Sequence, residues 1–260
     1  MAGDGRLKSK GRRQEAILAE LRAAPTIRIS EFAATHGVST ETIRRDLDEL
    51  TTGGLINRTY GGAIGAPLSG EPLLDDRYRM NAEERMKIAR TVVPLIRDGD
   101  KLMIDAGATT IFVARRLAAH LKGLTVVTTS FGVASALSSN TSINIRICPG
   151  HYDPSDGGVT GPDTIDYLQR FQVAHAILGA SRMDDEGPSD FNSNSVGIKR
   201  AMINQADNVI FVLDHEKLDR TGFERICAMK QVGHLVTDQQ PSDRLMTALA
   251  GNGVQLHLPS

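Results

Sequence analysis

No tryptophan occurs in the 260 residues, and aromatic side chains make up only 4% of them. The core must therefore be built from Leu, Ile, Val and Ala, and a hydrophobic content of 40% is ample for it. Cysteine is almost as scarce: Cys148 and Cys227 stand alone, without CxxC spacing. Two isolated thiols argue against a disulfide framework and a zinc site. They read as small buried hydrophobes in a reducing cytoplasm. No window approaches the roughly 18 uncharged apolar residues of a membrane span. The basic start MAGDGRLKSKGRRQE has no apolar run of the kind a secretory signal needs, so the expectation is a cytoplasmic chain. There is no GxSxG elbow and no GxxxxGK[ST] phosphate loop, and the seven histidines never fall at HxH or HExxH spacing. Neither a metal nor a cofactor is expected.

The net charge of −1 hides an uneven distribution. The first 30 residues hold seven basic side chains against three acidic ones, Asp4, Glu15 and Glu20. Basic charge concentrated on one surface is what duplex DNA requires, because phosphate neutralisation supplies most non-specific affinity. A solvated tail would show the same bias.

Local pattern sharpens the choice. Arg12–Ala24 spaces Ile17, Leu18 and Leu21 as a helix, and Pro25 ends it. Thr26–Ile29 reads as a short strand. Ser30 is expected to cap a helix over Glu31–His36, with Phe32 and Ala33 inward and a bend at Gly37. Ser39 caps Thr40–Thr52, whose Ile43, Leu47 and Leu50 form one stripe. Gly53-Gly54 stops that helix, Leu55–Thr59 reads as a strand, Tyr60-Gly61-Gly62 as a turn and Ala63-Ile64 as a return strand. This order is that of a winged helix-turn-helix over residues 1–64. In such a module Thr40, Thr42, Arg44 and Arg45 reach the major groove. Arg58 and Tyr60 would meet the flanking backbone or minor groove.

Pro67, Gly70 and Pro72 mark residues 65–80 as a linker. From 81 to 260 helices alternate with short β-branched runs, which predicts a mainly parallel sheet covered on both faces. Asp105-Ala106-Gly107-Ala108-Thr109-Thr110 follows one strand and opens a helix. Such a turn can hold an anion on its backbone N–H groups, although a capped helix start reads the same way. Thr128-Thr129-Ser130 follows the adjacent strand, and ligands in open α/β sheets gather at carboxyl ends of strands.

The run Ser39-Thr40-Glu41-Thr42-Ile43-Arg44-Arg45-Asp46-Leu47, followed by Gly53-Gly54-Leu55-Ile56-Asn57-Arg58-Thr59-Tyr60-Gly61-Gly62-Ala63, closely resembles the DeoR family of sugar-metabolism repressors. The resemblance covers nearly the whole chain. It implies operator binding as a homodimer or homotetramer. It also implies a C-terminal sensor for phosphorylated sugars, folded like ribose-5-phosphate isomerase. Pro149-Gly150-His151-Tyr152 stands where the family has a Gly-Gly loop, and Asp156–Pro162 matches its next glycine-rich loop. Lys199-Arg200, expected at the start of a helix, matches a basic pair, with Lys199 meeting the sugar phosphate. Three positions depart from the pattern: Asn192 replaces an acidic residue, Ser195 a Glu, and Asp153 or Pro154 an Arg. In the related isomerases carboxylates here transfer protons, so the replacements point away from turnover. They leave open a different effector or a site that has drifted, although Asn192 and Ser195 can still hydrogen-bond hydroxyls. The leading expectation is a repressor released by a phosphorylated sugar or sugar alcohol. The alternatives are a sugar-phosphate isomerase fused to a DNA-binding module, and an activator or ligand-independent architectural binder.

Overall fold

The computed structural model describes residues 10–23, 26–52, 56–59, 62–65 and 81–259. The chain divides into two compact units, residues 1–73 and 74–260. Most of the expected linker, residues 66–80, lies outside the described residues, as do Tyr60 and Gly61.

The first unit runs α1 (Lys10–Ala23), β1 (Thr26–Arg28), α2 (Ile29–His36), α3 (Thr40–Thr52), β2 (Ile56–Thr59) and β3 (Gly62–Gly65). The strands form one antiparallel sheet in the order β1-β3-β2, and β2 and β3 make the wing hairpin. Ile17, Leu21, Ile29, Phe32, Ile43, Leu47 and Leu50 share a single core. Ser30 does not cap α2. The helix starts two residues earlier because Ile29 is buried in that core, and Arg28 precedes it in extended conformation with no side-chain cap. Gly37 closes α2 with φ 64°, a left-handed conformation suited to glycine, and its N–H reaches the Ala33 carbonyl.

In the second unit, α4 (Ala82–Val92) precedes β4 (Lys101–Ile104), α5 (Ala108–His120), β5 (Thr125–Thr128), α6 (Phe131–Leu137) and β6 (Asn144–Ile147). A hairpin follows, β7 (His151–Asp153) with β8 (Gly158–Thr160), then α7 (Pro162–Leu168) and β9 (Val173–Leu178). Next come β10 (Arg182–Asp184), β11 (Gly187–Asp190), α8 (Ser193–Asn204), β12 (Ala206–Val212), β13 (Glu224–Arg225), β14 (His234–Val236), α9 (Asp243–Gly251) and β15 (Gln255–His257). Seven strands form a wholly parallel sheet in the order β15-β14-β12-β9-β4-β5-β6. Alternate residues feed opposite faces. Met103, Ala176, Leu178 and Phe211 pack towards α8 and α9, whereas Leu102, Ile104, Ile177, Ile210 and Val212 pack towards α4, α5 and α6. Both faces are apolar, as a helix-covered parallel sheet demands. The strand order reverses between β4 and β9, and that switch point puts their carboxyl ends side by side.

The small antiparallel sheet β10-β11-β13 and the β7-β8 hairpin were not expected from the sequence. Neither has the apolar alternation that announces a strand. The α7 helix ends at Leu168, and α8 begins at Ser193, so Lys199 and Arg200 lie in its middle rather than at its start.

Candidate nucleic-acid interface and effector cleft

On α3 the inward stripe is Ile43, Asp46, Leu47 and Leu50, all buried. Asp46 can be buried because Arg13 of α1 grips both its oxygens, Nε to Oδ2 at 2.6 Å and Nη2 to Oδ1 at 3.0 Å. A two-pronged guanidinium–carboxylate pair fixes orientation as well as distance, so it sets α3 against α1. The sequence reading passed over Asp46, although its place among the three apolar residues was the available signal. Ser39 Oγ accepts the Thr42 N–H at 3.1 Å and lies 2.8 Å from Thr42 Oγ1, a serine N-cap. Thr40, Arg44 and Arg45 are exposed and Thr42 is half-buried. Arg44 and Arg45 each lie 3.6 Å from Glu41. Exposed pairs of this kind are worth at most about 1 kcal/mol, so a phosphate or guanine can displace them. Arg58 belongs to β2.

The second unit holds a cleft of about 280 Å³, lined by Asp105, Thr129, Asp153, Asp156, Ser195 and Lys199 among others. Its floor lies at the switch point. Asp105 follows β4, and both its oxygens accept the Gly179 N–H beyond β9 at 3.2 Å. Burial pushes the Asp105 carboxyl up to about 7, against the opposing pull of Lys199 and the Gly179 N–H. Lys199 Nζ lies 2.6 Å from Asp190 Oδ2 and 3.6 Å from Asp105 Oδ2. Burial would lower the ammonium's pKa, but the charges of Asp190, Asp105 and Asp156 override it and hold Lys199 well above its ordinary value. Asp190 has the opposite balance. Burial disfavours its charge, yet Lys199, the Ser181 hydroxyl and the Phe191 N–H bring it to about 2. Asp190 was not singled out in the sequence, since no motif marks it.

The upper wall closes through two hydrogen bonds between the β7-β8 hairpin and the start of α8. Asn192 Nδ2 donates to Asp153 Oδ2 at 3.0 Å, and Ser195 Oγ donates to Asp156 Oδ2 at 2.9 Å. Two of the positions read as departures from the family pattern, Asn192 and Asp153, therefore meet one another, and the third, Ser195, meets Asp156. Two loop carboxylates face two neutral donors, where an acidic residue at 192 or 195 would face like charge. Burial works against the Asp153 charge, but the bonds from Ser155 and Asn192 hold its carboxyl below the usual range. Gly158 passes so close to the floor that a Cβ there would stand 2.6 Å from Ala106 Cβ and 3.0 Å from the Thr129 carbonyl oxygen.

The other expected effector residues divide by what their groups touch. Thr110 gives its hydroxyl to the Asp105 and Gly107 carbonyls, and Thr128 gives its own to Ile104. Ser130 caps α6 by accepting the Val133 N–H. Thr109 accepts from Arg85 Nε at 3.3 Å. These four hydroxyls hold the turns. Gly107 and Ala108 sit at the start of α5, with the backbone that would carry an anion. Gly150 and His151 do not line the cleft, and both are exposed. Lys199 lines it, but as the partner of Asp190 and Asp105. Among the described residues no group of three or more His, Cys, Asp or Glu could hold a metal. No described helix is long and apolar enough to cross a membrane. Cys148 and Cys227 are both buried.

Comparison with known proteins agrees at both ends of the chain. Residues 13–66 match the DeoR-like helix-turn-helix domain, and residues 80–239 match the DeoR C terminal sensor domain. The chain is similar to the glycerol-3-phosphate regulon repressor of Escherichia coli (strain K12), 33% identical over 247 residues that cover 95% of this chain and 98% of that one. It is similar also to the HTH-type transcriptional repressor GlcR of Bacillus subtilis (strain 168), at 32% identity with 93% of each chain covered. Among solved structures it is similar to ribose 5-phosphate isomerase A from Methanocaldococcus jannaschii, with a TM-score of 0.40, 17% identity, and 53% of this chain and 55% of that one covered.

Proposed function

The chain belongs to the DeoR family of transcriptional regulators, and from that premise we propose that it represses a carbohydrate or polyol catabolic operon until a phosphorylated intermediate binds the sensor cleft. It is a DNA-binding regulator rather than an enzyme.

The observation that carries this reading is the cleft at the β4–β9 switch point, which Asp105 and Ala106 line just before the start of α5. A phosphate placed at the start of α5 would meet backbone N–H groups and the positive end of a 13-residue helix. The carboxylates of Asp105, Asp153 and Asp156 and the hydroxyl of Ser195 would accept and donate hydrogen bonds to sugar hydroxyls. Thr129 lies at the same wall. The similarity to a glycerol-3-phosphate regulon repressor supports an effector of this polyol-phosphate class.

In the DNA-binding unit, α3 would enter the major groove with Arg44 and Arg45 at base edges or phosphates and Thr40 beside them. Two chains would read two half-sites about 34 Å apart. An effector releases DNA only if it binds the two states of the regulator with different affinity, and a coupling of about 1–3 kcal/mol changes operator affinity roughly 5–150-fold.

The test has two arms. A thermal-shift screen of pentose, hexose and polyol phosphates should find a ligand that raises the melting temperature, because binding to the native state alone stabilises it. The same ligand should weaken an operator shift. A shift insensitive to every ligand that stabilises the protein would overturn the repressor reading.

A further inference from the structure

We propose that the outward face of α4 is a two-fold contact with the same face of a second copy of this chain. The helix buries Arg85, Ile88, Ala89 and Val92 against the sheet. Its other side presents Glu83, Met86, Lys87 and Arg90, all exposed, at the three- and four-residue spacing of one stripe. Among the described residues no ion pair engages any of the three charges. Met86 is 42% exposed in the middle of them.

The stripe is complementary to itself only when reversed. Antiparallel pairing centred between Met86 and Lys87 sets Glu83 of each copy opposite Arg90 of the other and brings the Met86 side chains to the axis. Each contact then occurs twice, as an isologous interface requires.

Beside the stripe, an open groove of about 1200 Å³ runs between α4 and the chain's last strand, with Lys87, Arg90, Leu95, Leu256 and Leu258 in its lining and no acidic side chain among the described residues there. Its occupant must be acidic with an apolar flank. In the antiparallel arrangement the segment that arrives is the start of the second copy's α4, with Glu83, Glu84 and Met86. A single helix face falls short of the ~800 Å² per partner of a stable interface, and the groove supplies the remaining surface. β15, the edge strand of the sheet, forms its far wall.

Sedimentation of the full chain tests this by charge exchange. The wild type should sediment at an even multiple of its 28.1 kDa. Arg90→Glu alone, and Glu83→Arg alone, should each halve that mass at low micromolar concentration, with unchanged melting curves for the folded chain. An equimolar mixture of the two variants should regain the original mass, because each Glu then meets an Arg. The double variant Glu83→Arg/Arg90→Glu should regain it alone. A monomeric wild type overturns the proposal, as do single variants that keep the wild-type mass or a mixture that stays dissociated. Variants that melt differently still decide the question through the mixture, which restores the mass only if the two positions meet.

Discussion

Ser195 donates its hydroxyl to the Asp156 carboxylate across the cleft of the second unit, 2.9 Å from oxygen to oxygen. Ser195 is 8% exposed, so whatever replaces it must suit a carboxylate with little help from water. Ser195→Glu puts a second negative charge against Asp156 in a partly dry site, and the expected cost is about 1–3 kcal/mol of stability. Adding Asp156→Asn should recover most of it, since an amide donates to the new carboxylate. A thermal double-mutant cycle measures the coupling. Additive effects of the two substitutions would show that the hydroxyl and the carboxylate do not act as a pair.

The Asp105 carboxyl predicts an unusual pH dependence. Its native value of about 7 lies above its ordinary value of 3.8, so the native state holds this proton more tightly than the unfolded chain does. The group's contribution to stability is therefore full below about pH 4, declines as pH rises towards 7, and is constant beyond. Asp105→Asn removes the titration. The variant should gain on the wild type by roughly 1–3 kcal/mol between pH 4.5 and pH 8, read as the difference between their unfolding free energies. A difference that stays flat with pH would place Asp105 among ordinary carboxylates. Asp190 works in the other direction. Its native value of about 2 means that its contribution is present above pH 4 and is lost as pH falls towards 2.

How much of this was legible depends on how far apart in sequence the partners lie. The α3 stripe, the Gly37 bend and the alternation of helices with β-branched runs after residue 81 are local patterns, and the structure keeps them. Asp105 and the Gly-Ala-Thr-Thr turn were also visible, because a strand–turn–helix junction has a signature. The Asp190–Lys199 pair could not be read, since a buried lysine needs the fold before its counter-charges can be counted. Lys199 was expected to meet a phosphate; it lines the cleft, held there by two carboxylates that the sequence did not reveal. Asn192 and Ser195 looked like losses until the hairpin carrying Asp153 and Asp156 was seen across from them. That hairpin has no apolar alternation, so nothing local announced it. His151 was placed in the site by the loop that stands where the family has a Gly-Gly loop, but it is exposed and does not line the cleft.

At the DNA-facing helix the expectation is a split by contact type. Arg44→Ala and Arg45→Ala should leave the melting temperature almost unchanged, because both side chains are exposed and their pairs with Glu41 are 3.6 Å long. A substitution that removes a guanine contact should cost about 1–3 kcal/mol of specific binding and relax preference at one base position. One that removes a phosphate contact should weaken all sequences alike and lower the salt slope by about 1. Operator titrations at several salt concentrations separate the two. Unchanged specific affinity in both variants would mean that another element reads the operator. Arg13→Ala is the structural counterpart, because it leaves Asp46 buried without its partner and should destabilise the DNA-binding unit by about 2–4 kcal/mol.

Arg85 offers a test of how the cleft communicates. It stands on the inner side of α4, donates Nε to Thr109 in the sensor turn at 3.3 Å, and lies 3.7 Å from the buried Asp214. Neither Asp214 oxygen has a hydrogen-bond partner among the described residues, so the pair is held by charge at a distance that a small movement of the turn would change. Arg85→Met alone should cost about 3–5 kcal/mol, because it leaves Asp214 charged and buried without its counter-ion. Arg85→Met/Asp214→Leu removes both charges and should recover most of that loss. The double variant is therefore the useful one for function. It should still bind operator, and the stabilising sugar phosphate should still raise its melting temperature, since neither residue lines the cleft. The fold-change in operator affinity on adding effector should fall towards one, because α4 no longer senses the position of Thr109. A folded double variant that releases DNA as the wild type does would assign Arg85 a purely structural part and move the coupling to another contact.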